Sequence, residues 1–256
     1  MRTLDRIIAI LDVVAGSAEP VAAAMVSRRV KLPLPTVSRL MRELAQRRYL
    51  QGGQPANGYA LGSRLLELSY AARPTNLFNS LVQEMEWLRD VTEETVSLHV
   101  RSGEQRVCVC EIQSTQSVRR VVPVGLIVPL HFGATGMVLL AGASAPFVQG
   151  YIRRLNLDAT AEQRMHEQIR LIRERGWAIA EDAWIAGLAG LAAPVREGDT
   201  VVASLVVSGP TFRWNCERMR RSVDDLLAAA RRGSARLSGR PAERNPAMPD
   251  ALASAI

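Results

Sequence analysis

Among its 256 residues the chain has little cysteine, a single lysine and no long apolar run. Cys108, Cys110 and Cys216 are too few, and odd in number, for a disulfide framework. Cys108 and Cys110 stand two apart in a strand-like run, a spacing that turns both side chains to one face. Small buried apolar residues account for such a pair, and metal or redox chemistry is the alternative. His99, His131 and His166 show no metal-ligand spacing to the cysteines or to each other, so neither a metal nor a cofactor is expected. No apolar stretch approaches the roughly 20 residues that a membrane span requires. The opening Met1-Arg2-Thr3-Leu4-Asp5 lacks the apolar core of a signal peptide, so the expectation is a cytoplasmic chain with no membrane partner.

What is present is arginine, placed unevenly. The net charge is +7. Residues 1–73 hold eleven basic and five acidic side chains, so nearly the whole excess lies in the first third. A basic footprint confined to one segment is the signature of a nucleic-acid-binding domain. The length suits two modest domains, each able to bury a core, and 48% apolar residues place the chain among globular proteins.

The basic segment is organised around Lys31–Leu44. Leu34-Pro35 reads as a helix entry, since proline suits the first turn, where its missing N–H would have no partner. Val37, Leu40, Met41 and Leu44 then recur at i, i+3, i+4 and i+7, the inward stripe of an amphipathic helix. The other face carries Thr36, Ser38, Arg39 and Arg42, donors suited to phosphates and base edges; a plain solvated helix face could carry the same residues. Upstream, Val21–Val30 forms a short helix, and Lys31-Leu32-Pro33 a tight break. Two helices across such a turn make a helix-turn-helix, whose second helix enters the major groove. Downstream, Tyr49-Leu50-Gln51 and Tyr59-Ala60-Leu61 flank a turn-rich loop and read as a β-hairpin wing.

Taken in order, Leu32-Pro33, Thr36-Val37, Arg39-Leu40-Met41 and Leu44, then Tyr49-Leu50, Tyr59, Leu61-Gly62 and Arg64-Leu65-Leu66, resemble the winged-helix domain of the IclR family of bacterial transcription regulators. The resemblance runs on through Pro129-Leu130-His131 before Gly136, Gly176-Trp177-Ala178, Gly187 with Ala192-Ala193-Pro194-Val195, and Ser208-Gly209-Pro210, and so covers about residues 3–237. It implies an α+β protein: an N-terminal winged helix-turn-helix domain and a C-terminal GAF-like effector-binding domain with a central antiparallel sheet. The expected organisation is residues 1–62 for DNA binding, 63–94 for linker and dimerisation helices, 95–238 for the effector domain, and 239–256 as a tail rich in Pro, Ala and Ser without fixed structure.

Within the second half the pattern predicts consecutive strands at Thr95–Val100, Arg106–Ile112 and Arg119–Val124. Helices follow at about 145–156 and 160–175, strands at Trp177–Glu181, Gly187–Val195 and Thr200–Val207, and one amphipathic helix over 213–237.

Two sites are expected. Thr36, Ser38, Arg39 and Arg42, with Pro35 at the helix entry, read bases or adjacent phosphates. Arg28, Arg29, Lys31, Arg47 and Arg48 neutralise backbone, and Gln54 and Asn57 reach from the wing. The second site lies at Gly133–Met137. A glycine turn opening a helix leaves N–H groups pointing at one spot, where the helix dipole favours an anion; a tight turn in a packed core is the alternative. The matching turn in the family contacts the effector, commonly a small organic or aromatic acid. Carried over by position, the pocket comprises Val128, Ala134, Thr135, Gly136, Met137, Ala180, Asp182, Gly190, Val206 and Ser208. With Met137, Ala180, Gly190 and Val206 at positions that other members can fill with polar, charged or sulfur groups, a roomier and more apolar pocket is expected. The family implies a homodimer, and a dimer of dimers, on a near-palindromic DNA operator. A cysteine-dependent redox enzyme on a GAF-like fold and a winged helix used for protein–protein contact are the competing readings.

Overall fold

Apolar side chains three and four apart build the helices of the first of two units, Met1–Arg73, and strand alternation dominates the second, Pro74–Ile256. The computed structural model describes residues 3–53, 58–72 and 75–241. The expected unstructured tail therefore falls largely on 242–256, outside the described residues.

The first unit runs α1 (Thr3–Ala15), α2 (Ala23–Val30), α3 (Leu34–Gln46), β1 (Leu50–Gly52), β2 (Tyr59–Leu61) and α4 (Ser63–Ala72). Its core is Ile10 and Val14 of α1, Val26 of α2, Leu50 of β1, and the whole expected stripe of α3, Val37, Leu40, Met41 and Leu44. The break between α2 and α3 has a local cause. Lys31 adopts a left-handed backbone, φ 53°, and donates its N–H to the Ser27 carbonyl, while Ser27 Oγ donates to the Leu32 carbonyl at 2.6 Å. Pro33 then caps α3 and Pro35 sits in its first turn. The wing strands pair antiparallel, Leu50 opposite Leu61, and Tyr59 exchanges two backbone hydrogen bonds of 2.8 Å with Val21.

The second unit runs α5 (Thr75–Thr92), β3 (Thr95–Ser102), β4 (Gln105–Ile112), β5 (Ile127–Pro129), α6 (Gly133–Ala141), α7 (Ala145–Arg154), α8 (Ala159–Arg175), β6 (Ala178–Glu181), β7 (Leu188–Glu197), β8 (Thr200–Pro210), α9 (Cys216–Arg221) and α10 (Val223–Leu237). The strands form one six-stranded sheet in the order β5-β4-β3-β8-β7-β6, with every pairing antiparallel. Alternation sorts the side chains. Leu98, Leu191, Ala193, Leu205 and Val207 pack against α5 and α10. Ala178, Ala192 and Val206 point the other way, under α6, α7 and α8. The sheet is thus the middle of three layers, as the α+β expectation requires. Between α5 and α10, the fully buried Glu84 accepts from Arg232 Nη2 at 2.5 Å and from Arg236 Nη2 at 2.6 Å.

Three local expectations are corrected. Residues 119–124 form no strand; the strand comes later, as β5. Pro123 removes a ladder N–H, and side chains take the backbone groups instead: Thr95 Oγ1 donates to the Arg120 carbonyl at 2.5 Å, and the Glu111 carboxylate accepts the Val122 N–H. The single helix expected over 213–237 is two, because Ser222 ends α9 and begins α10. Cys108 and Cys110 do not share a face. A bulge sets Cys110 opposite Leu98 and Cys108 opposite His99, although Leu98 and His99 are adjacent. Among the described residues, no helix is long and apolar enough to cross a membrane.

Candidate nucleic-acid interface and ligand cavity

Burying the Val37–Leu44 stripe leaves the opposite face of α3 outward. Thr36 and Ser38 are half-buried there, and Pro35, Arg39 and Arg42 are exposed, as are Arg28, Arg29, Lys31, Arg47 and Arg48. Their charges are not equally available. Arg39 Nη1 lies 2.8 Å from Glu43 Oε1 one turn on, an exposed pair that holds the side chain loosely. Arg42 makes no ion pair among the described residues. Arg48 makes a similar exposed pair, reaching Glu67 of α4 at 2.7 Å, beside Arg64 at 2.8 Å. The hydrogen bond from Arg64, with the charge of Arg48, holds the Glu67 carboxyl below its usual range. A Cβ on Gly62 would overlap the Arg48 carbonyl oxygen, so the chain can turn from β2 into α4 there only as glycine. Gln54 and Asn57 lie outside the described residues.

On the α6 side of the sheet a cavity of ≈ 80 Å³ opens, room for several waters or a small organic acid. Ser97 and His99 of β3, Val206 and Ser208 of β8, Gly190 of β7 and Ala180 of β6 form its floor, and Gly133, Ala134 and Thr135 cover it. Arg106 of β4, Arg120 from the irregular segment after it, and Trp184 from the turn between β6 and β7 complete the wall. Gly133 takes φ 70° to begin α6, and no side chain caps that helix at Phe132, which leaves the first-turn N–H groups without an acceptor from the cap residue. The preceding Pro129-Leu130-His131 is held by Tyr151, whose Oη lies 2.7 Å from His131 Nδ1 and accepts the His131 N–H at 3.1 Å.

Of the positions expected from sequence, the cavity brings together Ala134, Thr135, Ala180, Gly190, Val206 and Ser208. The others are used differently. Gly136 presses against the turn before α6, where a Cβ would overlap the Leu130 carbonyl oxygen. Met137 is buried in the apolar layer beneath α6. Val128 is buried in β5 opposite Arg106. Asp182 is exposed and accepts the Gly187 N–H at 2.6 Å, closing the turn that carries Trp184.

The expectation of a more apolar pocket meets an electrostatic finding that it did not include. Arg106 is 7% exposed, and burial, with the neighbouring Arg120, pushes its guanidinium down to about 10. Burial also lowers Arg120. His99 is driven well below the ordinary imidazole value by burial, then by Arg106 and Arg120, so it is neutral at pH 7; its Nε2 lies 3.0 Å from Ser97 Oγ. Arg106 Nε, His99 Nδ1 and Ser208 Oγ are buried with no hydrogen-bond partner among the described residues. Such atoms call for a ligand or water to complete them. One signal in the sequence could have found Arg106: it stands two residues before Cys108 in the same strand and so shares its face.

Cys108 lies on that face with its thiol pushed up to about 12, chiefly by burial, far from the range of reactive thiols. Alkylation by iodoacetamide at neutral pH is therefore expected at the partly exposed Cys216 well before Cys108. Mass mapping of the labelled peptides checks this; faster labelling at Cys108 would contradict it.

A basic helix-turn-helix with a wing, on the same chain as a sheet domain whose mostly apolar cavity holds two arginines, fits a two-part transcriptional regulator. The IclR helix-turn-helix domain matches residues 3–52, and the bacterial transcriptional regulator IclR C-terminal domain matches 70–235. The chain belongs to the IclR family of DNA-binding transcriptional regulators, a family of regulators rather than enzymes. It is similar to the HTH-type transcriptional regulator BhcR of Paracoccus denitrificans, 26% identical over 239 residues, 90% of this chain and 85% of that protein. The HTH-type transcriptional regulator KdgR of Escherichia coli is 27% identical over 230 residues, 87% of this chain and 88% of that protein. In fold, it is similar to the crystal structure of an IclR homolog from Microbacterium hydrocarbonoxydans complexed with 4-hydroxybenzoate, with a TM-score of 0.81 at 21% identity over 93% of this chain and 100% of that one.

Proposed function

We propose that the protein binds a near-palindromic operator as a homodimer, or as a dimer of dimers, and that a small organic acid held in the cavity of the second unit changes that binding. Paired α3 helices would enter major grooves about 34–36 Å apart. Thr36, Ser38, Arg39 and Arg42 would meet bases or nearby phosphates; Arg28, Arg29, Lys31 and Arg47 would neutralise backbone, with Gln54 and Asn57 reaching from the wing. Arg48, whose pair with Glu67 is exposed, would neutralise backbone alongside those cations. The effector acts only through a difference in its affinity for the DNA-competent and DNA-incompetent states.

The observation that carries this reading is the outward face of α3, polar and basic over a fully buried apolar stripe. For the effector, support comes from the unpartnered donors around the cavity and from the 4-hydroxybenzoate held by the Microbacterium homolog. Arg39→Ala and Arg42→Ala are each expected to weaken operator binding by about 1–3 kcal/mol, measured by fluorescence anisotropy at fixed salt. Unchanged binding by both variants would refute this choice of reading face.

A further inference from the structure

Resting on the reading of the cavity as an effector site, we propose that its ligand is a small organic dianion whose two negative charges together neutralise Arg106 and Arg120. Arg106 is more than nine-tenths buried, its Nε has no partner, and its side chain makes no hydrogen bond or ion pair among the described residues. The Arg120 side chain likewise makes no hydrogen bond there. Both guanidiniums face one indole: the Trp184 ring centre lies 6.0 Å from Arg106 Cζ and 5.7 Å from Arg120 Cζ. Cation–π attraction to a shared ring offsets little of the cost of burying charge. Among the described residues, no aspartate or glutamate lines the cavity. Glu111, whose charge partly offsets that of Arg120, lies outside the lining and accepts the Val122 N–H.

Arg106 is buried and Arg120 half-buried; a buried guanidinium calls for a counter-charge, which the ligand supplies here. A monocarboxylate can fork or bridge the guanidiniums but brings one charge for two. A dianion satisfies both. The other donors nearby, Ser208 Oγ and neutral His99, add hydrogen bonds without adding charge, so the positive charge that the ligand answers is set by the two arginines. A cavity of ≈ 80 Å³ suits a skeleton of a few carbons or one ring. Dicarboxylates and phosphate monoesters both meet the charge requirement, the latter carrying close to two charges at neutral pH.

The test is calorimetric titration of the full-length protein at neutral pH with matched probes: succinate against butyrate, phthalate against benzoate, and phenyl phosphate as the ester arm. Trp184 emission provides a second readout. At least one dianion is expected to bind tenfold or more tighter than its monoanionic counterpart, and the arm that does so identifies the class. In Arg120→Gln that ratio should fall to within about twofold while Arg120→Lys retains it, with the melting curves of both variants confirming that they fold. Monoanions binding as tightly as dianions, or a ratio unmoved in Arg120→Gln, would overturn the dianion inference and leave the effector site standing. Failure of every probe, mono- and dianionic, to bind would count against the effector-site reading itself and the inference with it.

Discussion

Arg106→Met is expected to abolish binding of acidic ligands in the cavity while making the free protein more stable. The two effects have one cause. A guanidinium lowered to about 10, well below the ordinary arginine value, costs the free protein about 3 kcal/mol wherever both states are charged. For a base whose folded value is lowered, the sign is destabilising: the penalty is complete below about pH 10 and fades as pH rises through the ordinary arginine value. Methionine has similar length and no charge, so it removes the penalty and keeps much of the packing. The same change deletes the most deeply buried cation of the site. Losing one partner of a buried charge pair costs about 2–5 kcal/mol, or about 30-fold to several thousand-fold in affinity. Thermal melts with and without an acidic ligand check both halves. A variant that melts lower than the parent and still binds the acid would contradict the role assigned to Arg106.

Glu84→Ala is expected to be strongly destabilising, away from the cavity. Glu84 is fully buried and lies against two cations: Arg232, through Nε at 2.9 Å and Nη2 at 2.5 Å, and Arg236, through Nη2 at 2.6 Å. Removing the carboxylate leaves Arg232, itself 8% exposed, as a buried charge with only the face of Trp87, 5.1 Å away, for company. Breaking a buried pair from one side costs about 3–5 kcal/mol. For a protein of this size each kilocalorie lowers the melting temperature by about 2–4 °C, so a fall on the order of 10 °C is expected in the transition of the second unit. A change within 2 °C would mean that water reaches the arginines and that α5 and α10 are held by their apolar contacts alone.

How much of this was legible in the sequence depended on how local the cause was. The α3 stripe, the break at Lys31–Pro33 and the wing strands follow from spacing, proline and turn residues within a dozen positions, and they are found where that chemistry puts them. The segment 119–124 misled because its apolar alternation is that of a strand, whereas its backbone groups are taken by Thr95 and Glu111, partners set by the tertiary fold. The cysteine pair misled because a one-residue bulge inverts the facing of everything beyond it. The cavity was half legible. Ala134, Thr135, Gly190 and Ser208 stand in short motifs, but Arg106, Arg120 and Trp184 come from three distant segments, and nothing in their spacing announces that they meet. Glu84 and its arginines lie about 150 positions apart in the chain and were invisible for the same reason.

Regulation by DNA binding is tested most directly by selecting bound duplexes from a random pool and then titrating the enriched sequence against salt. Enrichment of a near-palindrome with half-sites about one helical turn apart is expected, with log K falling against log salt by several units, close to 0.9 for each phosphate neutralised. A pool that enriches no sequence, bound weakly and without dependence on salt, would contradict α3 as a reader of DNA.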